Sequence, residues 1–166
     1  MTQLNLQKPT NHLFQITRPN LKTFTYQVQA VTLPGFSAST AAGPAPKISD
    51  FSVIGTSAIY GDLVLSILLD ENMDTYFEIY QWLKELVEPE KGTPVKFNDS
   101  VAEAVLYILT NNKTLNNDFA VNFHKLWPYA ISEIPFDATT SDDAPLSFTA
   151  TFKYRTFDIT RNGTNY

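Results

Sequence analysis

His12 and His124 are the only imidazoles in the chain. Neither has the partner four residues away that lets a helical zinc motif set two ligands on one face, so both read as ordinary strand histidines. Asp70-Glu71-Asn72-Met73-Asp74 has the oxygen density of a calcium loop. Counted from Asp70, however, the glycine of loop position six and the glutamate of position twelve are missing, and helix capping accounts for the stretch better. Asp142 and Asp143 are adjacent in a polar turn, whereas glycoside hydrolysis needs two carboxylates placed across a cleft. There is no Gly-x-Ser-x-Gly elbow, phosphate-binding Walker loop or dinucleotide fingerprint. The expectation is a protein that is not an enzyme and needs no metal or cofactor. Trp82 and Trp127 sit among apolar neighbours and read as core or interface. A carbohydrate-binding sandwich with Trp127 and Tyr129 as its stacking platform is the alternative from another class.

The elements that position these residues come from a chain rich in rings and poor in charge. Its 166 residues include 12 Phe, 8 Tyr and 2 Trp, with only 17% charged residues, which favours one sheet-rich domain over residues 1–166. The absence of cysteine removes disulfides and thiolate metal sites. A net charge of −5 is wrong for a protein that wraps a DNA duplex, because phosphate neutralisation needs a basic stripe. The N-terminus lacks the charged and apolar regions of a signal peptide, and no run approaches a membrane span; a soluble protein with no membrane partner is expected.

The organising stretch runs from Gly61 to Pro89. Leu63, Leu65, Ile67 and Leu69 alternate as a central strand covered on both sides. A helix follows, with Asn72 the preferred cap and a single polar stripe of Asp74, Glu78, Gln81, Glu85 and Glu88 open to water. Upstream, residues 1–11 read as a flexible arm, 12–17 as a short strand, and 23–31 as a strand with Phe24, Tyr26, Val28 and Ala30 on its core face. Residues 35–54 read as a protruding hairpin with its tip at Ala42-Gly43-Pro44, and 55–61 as a link. Downstream, 102–110 and 118–126 pair as a hairpin, and Pro128 and Pro135 confine the next segment to an edge or corner. In the last strand Phe148, Ala150, Phe152 and Tyr154 face one way and Ser147, Thr149, Thr151, Lys153 and Arg155 the other, until a slip of phase near Arg155-Thr156 predicts a bulge. Seven or eight mostly antiparallel strands and one helix result: a mainly β (α+β) chain, barrel or sandwich, with one flanking helix.

The second faces of two strands are polar and almost uncharged: Thr23, Thr25, Gln27 and Gln29 on one, Ser147, Thr149 and Thr151 on the other. They fit either a solvated sheet surface or the wall of a lumen. One chain of this size cannot enclose a wide channel, which takes about 16 strands or more. Several copies pairing edge to edge could do so and would also cover their exposed strand edges.

Arg18-Pro19-Asn20, the strand ending Ala30-Val31-Thr32-Leu33-Pro34, Gly61-Asp62 leading into a strand, Asp70-Glu71 and the aromatic helix occur in an order that resembles the tail tube proteins of T4-like contractile phages. Leu126-Trp127-Pro128, Glu133, Phe136-Asp137 and the alternating final strand are similar to that family's closing half. The resemblance covers roughly residues 18–159 and implies a relation to the type VI secretion tube protein. It further implies hexameric rings stacked into a tube that carries DNA and the tape-measure protein without specific binding. A contracting sheath would surround the tube and baseplate initiator proteins would start it. The location would be the virion tail, assembled in the host cytoplasm. On that reading Thr23, Thr25, Gln27, Gln29, Ser147, Thr149 and Thr151 face the lumen. Ser37, Ser39, Thr40, Lys47 and Asp50 serve ring stacking, and Glu78, Glu85 and Glu88 face the sheath. A baseplate or tube-initiating ring of the same fold is the alternative within the family.

Overall fold

The computed structural model describes residues 6–18, 21, 27–42, 52–87, 100–137 and 145–165. Its strands are β1 (His12–Thr17), β2 (Val28–Thr32), β3 (Phe36–Ala42), β4 (Ser52–Tyr60), β5 (Leu63–Leu68), β6 (Ala102–Leu109), β7 (Leu115–Ile131), β8 (Ser147–Lys153), β9 (Thr156–Arg161) and β10 (Thr164–Asn165). The helix α1 spans Asp74–Val87. Every pairing is antiparallel, along the path β1-β6-β7-β8-β5-β2, with β9 on β7, β10 on β9, and β3 with β4 as a separate ribbon. Among the described residues the path does not close, so they form a sandwich with a flanking helix and not a closed barrel.

The 17-residue β7 joins the two layers. Its first half lies between β6 and β9; its second half pairs with β8. Between them the register against β6 shifts and Lys125 takes a left-handed φ of 57°, the local distortion that lets one strand leave a sheet and enter another. Pro128 lies just beyond, where among the described residues β7 pairs only with β8 and borders its second sheet, a position that tolerates a missing N–H.

Alternation decides what is inside. Leu63, Leu65 and Ile67 on β5 are fully buried and lie directly opposite Phe152, Ala150 and Phe148 on β8, also buried. Phe14, Leu106, Val121 and Phe123 bring the other sheet's inner face to the same core. Each of these side chains except the small Ala150 contributes about 1.5–3 kcal/mol by leaving water. The helix packs on the inner side of β8, with Tyr76 edge-on to Phe148 at 5.4 Å and Trp82 tilted against Phe152 at 6.0 Å.

Several local expectations need correction. The helix is capped by Asp70, not Asn72: its carboxylate accepts from the N–H groups of Asp74 at 3.0 Å and Thr75 at 3.1 Å. Met73, with φ of 59°, turns the chain so that Asp70 and not Asn72 reaches the first turn. In β2 the register slips between Val28 and Ala30, so Val31, opposite Leu65, turns inward while Ala30, opposite Ser66, turns outward. Residues 55–60 are part of β4 and not a link. The phase slip near Arg155 is a strand exchange: β8 ends at Lys153 against β5 and β7, and β9 begins at Thr156 against the first half of β7.

Candidate functional site

The second sheet has one face turned to the helix and the other turned away. Because directly paired residues of antiparallel strands share a face, the register assembles the outward one. Ala30 and Thr32 come from β2, Val64, Ser66 and Leu68 from β5, and Ser147, Thr149, Thr151 and Lys153 from β8. Ala130 joins them from β7, opposite Thr151. Ser147, Thr149 and Thr151 thus stand on one surface with Ser66. Gln29, the extra residue at the β2 register shift, is exposed and lines a groove between β2 and the segment Pro9, Thr10 and His12.

Gln27 is elsewhere. It precedes β2, and its side-chain amide meets the hydroxyl of the fully buried Thr75 at the start of α1. That hydroxyl also lies 3.0 Å from the Asp70 carboxylate. Burial raises the Asp70 pKa, and the hydrogen bonds from Thr75 and Asp74 outweigh it, leaving the carboxyl below its ordinary value. Thr23 and Thr25 lie outside the described residues.

Lys153 is the one cation on β2, β5, β8 and the β8-paired residues Trp127–Ile131 of β7 among the described residues. Its Nζ sits 2.5 Å from Asp62 Oδ1 and 5.1 Å from the centre of the Tyr129 ring. Asp62 is held by its neighbour Gly61, whose N–H donates to Gly35 O at 2.9 Å and whose carbonyl accepts from the Tyr154 hydroxyl at 2.8 Å. Burial, with the charges of Asp62 and Tyr60, pushes Tyr154 up to about 12. Tyr129, an exposed residue, thus offers its ring to an ammonium, and Trp127 is half-buried.

The hairpin of β3 and β4 has few internal resources. Phe36 meets Tyr60 at 5.4 Å and Phe157 at 6.4 Å, which anchors its base. Farther out, Ile54 is 86% exposed, and Val53 and Ile59 are exposed too. Ser37 and Thr40 are exposed on β3, and Ser39 Oγ accepts from the Ser57 N–H at 3.1 Å. A Cβ on Gly55 would lie 2.2 Å from Ser39 Oγ, so only glycine lets the strands approach there. Lys47, Asp50 and the tip lie outside the described residues.

The exposed flank of α1 is broader than one acidic stripe. Phe77 and Tyr80 are exposed beside Asp74, Gln81, Lys84 and Glu85, with Tyr80 stacked on Tyr76 at 6.4 Å. Glu78 is half-buried, and Glu85 pairs with Arg18 at 2.7 Å. Glu88 lies outside the described residues. Asp62 and Tyr129 were not singled out for the polar face by sequence reasoning; a lone lysine among threonines on β8 was the available signal, and its partner lies 91 residues away.

Comparison with known proteins bears on the whole of this arrangement. Residues 3–160 match the family model described as phage tail tube protein. The chain is 28% identical over 163 residues to the tail tube terminator protein of Enterobacteria phage T4, covering 96% of this chain and 92% of that one. In fold it is similar to the tube terminating cap of the anti-feeding prophage, with a TM-score of 0.69 at 10% identity over 97% of this chain and 95% of that one. Hcp1 from Flavobacterium johnsoniae has a TM-score of 0.53 at 14% identity, over 93% and 98% of the two chains.

Proposed function

This chain belongs to the phage tail tube protein family, and we propose that within it the chain is a tail tube terminator, a ring-forming structural protein that seats on the end of a tail tube and stops its growth. The observation that carries this reading is the 28% identity to the T4 terminator along nearly the full length of both chains.

The geometry supports a ring. Among the described residues β1 and β2 end the sheet path with one unpaired edge each, and an unpaired edge is satisfied by a strand from a neighbouring copy. In a hexamer closed this way, the outward face of β2, β5 and β8 forms the wall of the bore, with Gln29, Ser147, Thr149 and Thr151 along it; Thr23 and Thr25 are proposed for the same wall, whereas Gln27 is held at Thr75. Short uncharged side chains give a passing polyanion no phosphate-binding equilibrium to escape. DNA and the tape-measure protein are the proposed contents. The β3–β4 hairpin, with Ser37, Ser39 and Thr40, meets the last ring of the tube, and Lys47 and Asp50 are proposed for the same contact. The α1 flank, with Glu78 and Glu85, faces the sheath, and Glu88 is proposed for the same side. The site of action is the virion tail, assembled in the host cytoplasm.

Adding the purified chain to polymerising tube protein tests the role. A terminator shortens the tubes in proportion to its concentration. A second reading is favoured by Ile54 and Val53, whose exposure gives each copy an apolar contact for stacking: a main tube subunit or a tube-initiating baseplate ring. Open-ended tubes formed by this chain alone would establish the main subunit and dismiss the terminator; growth nucleated instead of arrested would establish the initiator.

A further inference from the structure

We propose that Asp62 and Tyr129 cage Lys153 so that the polar sheet face holds no available cation, making Asp62 the residue that keeps a polyanion from being retained there. The inference rests on the reading that this face lines a bore.

The cage has two walls. The Asp62 carboxylate sits 2.5 Å from the ammonium, and the Tyr129 ring centre lies 5.1 Å from it. Both partners are positioned by backbone. Asp62 lies between Gly61, tied to Gly35 and Tyr154, and Leu63, paired with Phe152. Tyr129 is the extra residue where β7 slips against β8, which swings its ring to Lys153. No other charged side chain stands on β2, β5, β8 or the β8-paired residues Trp127–Ile131 of β7 among the described residues. A fixed carboxylate cancels the field of Lys153 beyond a few ångströms and occupies it at contact, so the face is neutral with the cation present.

Neutrality by pairing differs from neutrality by omission. Were Asp62 absent, each copy would present one ammonium at an equivalent place, and a ring would present a circle of them. Phosphates would displace counterions from that circle, and the affinity would carry the salt dependence of that exchange, about 0.9 in the log–log slope for each lysine engaged. Lys153 lies directly opposite Trp127, where a lysine stem can cover apolar surface without needing a free charge.

The test uses the assembled full chain, a fluorescent DNA duplex and anisotropy at several salt concentrations. Asp62→Asn is expected to bind the duplex at least about tenfold more tightly than the unaltered chain at low salt, with a steeper salt slope. Asp62→Glu should restore weak binding, and Asp62→Asn combined with Lys153→Met should return both affinity and slope to their starting values. A merely structural role for Asp62 would not be reversed by removing the lysine. To separate the inference from the reading beneath it, a gold label on Thr151→Cys is located in the ring by electron microscopy. A label at the bore with no affinity gain in Asp62→Asn overturns the cage alone. A label on the outer wall overturns the assignment of the face, and the cage with it.

Discussion

The guanidinium of Arg18 lies over the indole of Trp82, its central carbon 4.3 Å from the ring centroid. The same side chain pairs with Glu85 at 2.7 Å and donates to Ser100 O at 3.3 Å, while Trp82 Nε1 donates to that carbonyl at 2.7 Å. The end of β1, the middle of α1 and the approach to β6 are thus joined at one point. Burial lowers the Arg18 pKa and Glu85 raises it in part; a guanidinium remains charged through both. Arg18→Ala is expected to lower the unfolding free energy by about 2 kcal/mol, from the lost stacking and charged hydrogen bonds. Glu85→Ala, at a half-exposed position, should cost less than about 1 kcal/mol. Urea unfolding followed by tryptophan fluorescence measures both; equal losses would place the stability in the ion pair and not in the stacking.

The Asp70 cap gives acid sensitivity a specific source. Its carboxyl is held below the ordinary value, so its contribution is present above the unfolded pKa, about 3.9, and is lost as pH falls through the folded one. Asp70→Ala should cost about 1 kcal/mol at neutral pH. Asp70→Asn should keep most of the cap and flatten the stability profile below pH about 4. An acid limb unchanged in Asp70→Asn would assign the sensitivity to other carboxylates.

At the alkaline end the sign reverses. Tyr154 is an acid whose folded pKa is raised to about 12 by burial first, then by Asp62 and Tyr60. Its contribution is full below the unfolded value, about 10, and is lost as pH rises through the folded one. Tyr154→Phe should lower stability by about 1 kcal/mol at neutral pH through the missing bond to Gly61. It should also remove a late step from the ultraviolet titration of the tyrosines, and a titration curve unchanged in that region would contradict the assignment.

Much of this architecture is legible in the residues, because period-two alternation reports burial directly. Leu63, Leu65 and Ile67, with Phe148, Ala150 and Phe152, face the core as their spacing predicts. The apolar run at 102–110 is a strand, Ala102–Leu109, and hairpins with β7 as the turn after it predicts. The family is legible too, through the order of its motifs. What the sequence conceals depends on backbone geometry or on distant partners. Met73 at positive φ selects Asp70 as the cap; the slip at Gln29 exchanges the faces of Ala30 and Val31; Gln27 meets Thr75 48 residues away. Small residues blur the pattern of β4, and charge counting along one strand cannot reveal that Lys153 is paired with Asp62.

The hairpin separates folding from assembly. Ile54 is 86% exposed, so Ile54→Lys should shift the stability of the single chain by no more than about 0.5 kcal/mol. Attachment to tube ends should nevertheless fail, because burying an unpaired ammonium at a contact costs several kcal/mol. Thermal unfolding and co-sedimentation with preformed tubes read the two quantities separately. Full attachment by the variant would exclude this part of the hairpin from the contact.

Thr149→Lys probes the bore. It adds a cation to the outward face of β8 at a half-exposed position, where single-chain stability should be little affected. Particles carrying it should release DNA more slowly, with the delay relieved by salt. Delivery at the original rate would argue that this face does not line the path.

The most direct measurement is the position of the chain in an assembled tail. The protein has no cysteine, so Thr164→Cys, at an exposed residue of β10, accepts a single gold label per copy. Electron microscopy of labelled tails should show one cluster of gold at one end of each tube and none between. Gold repeated along the tube's length would contradict the terminator role and identify the chain as the tube's main subunit.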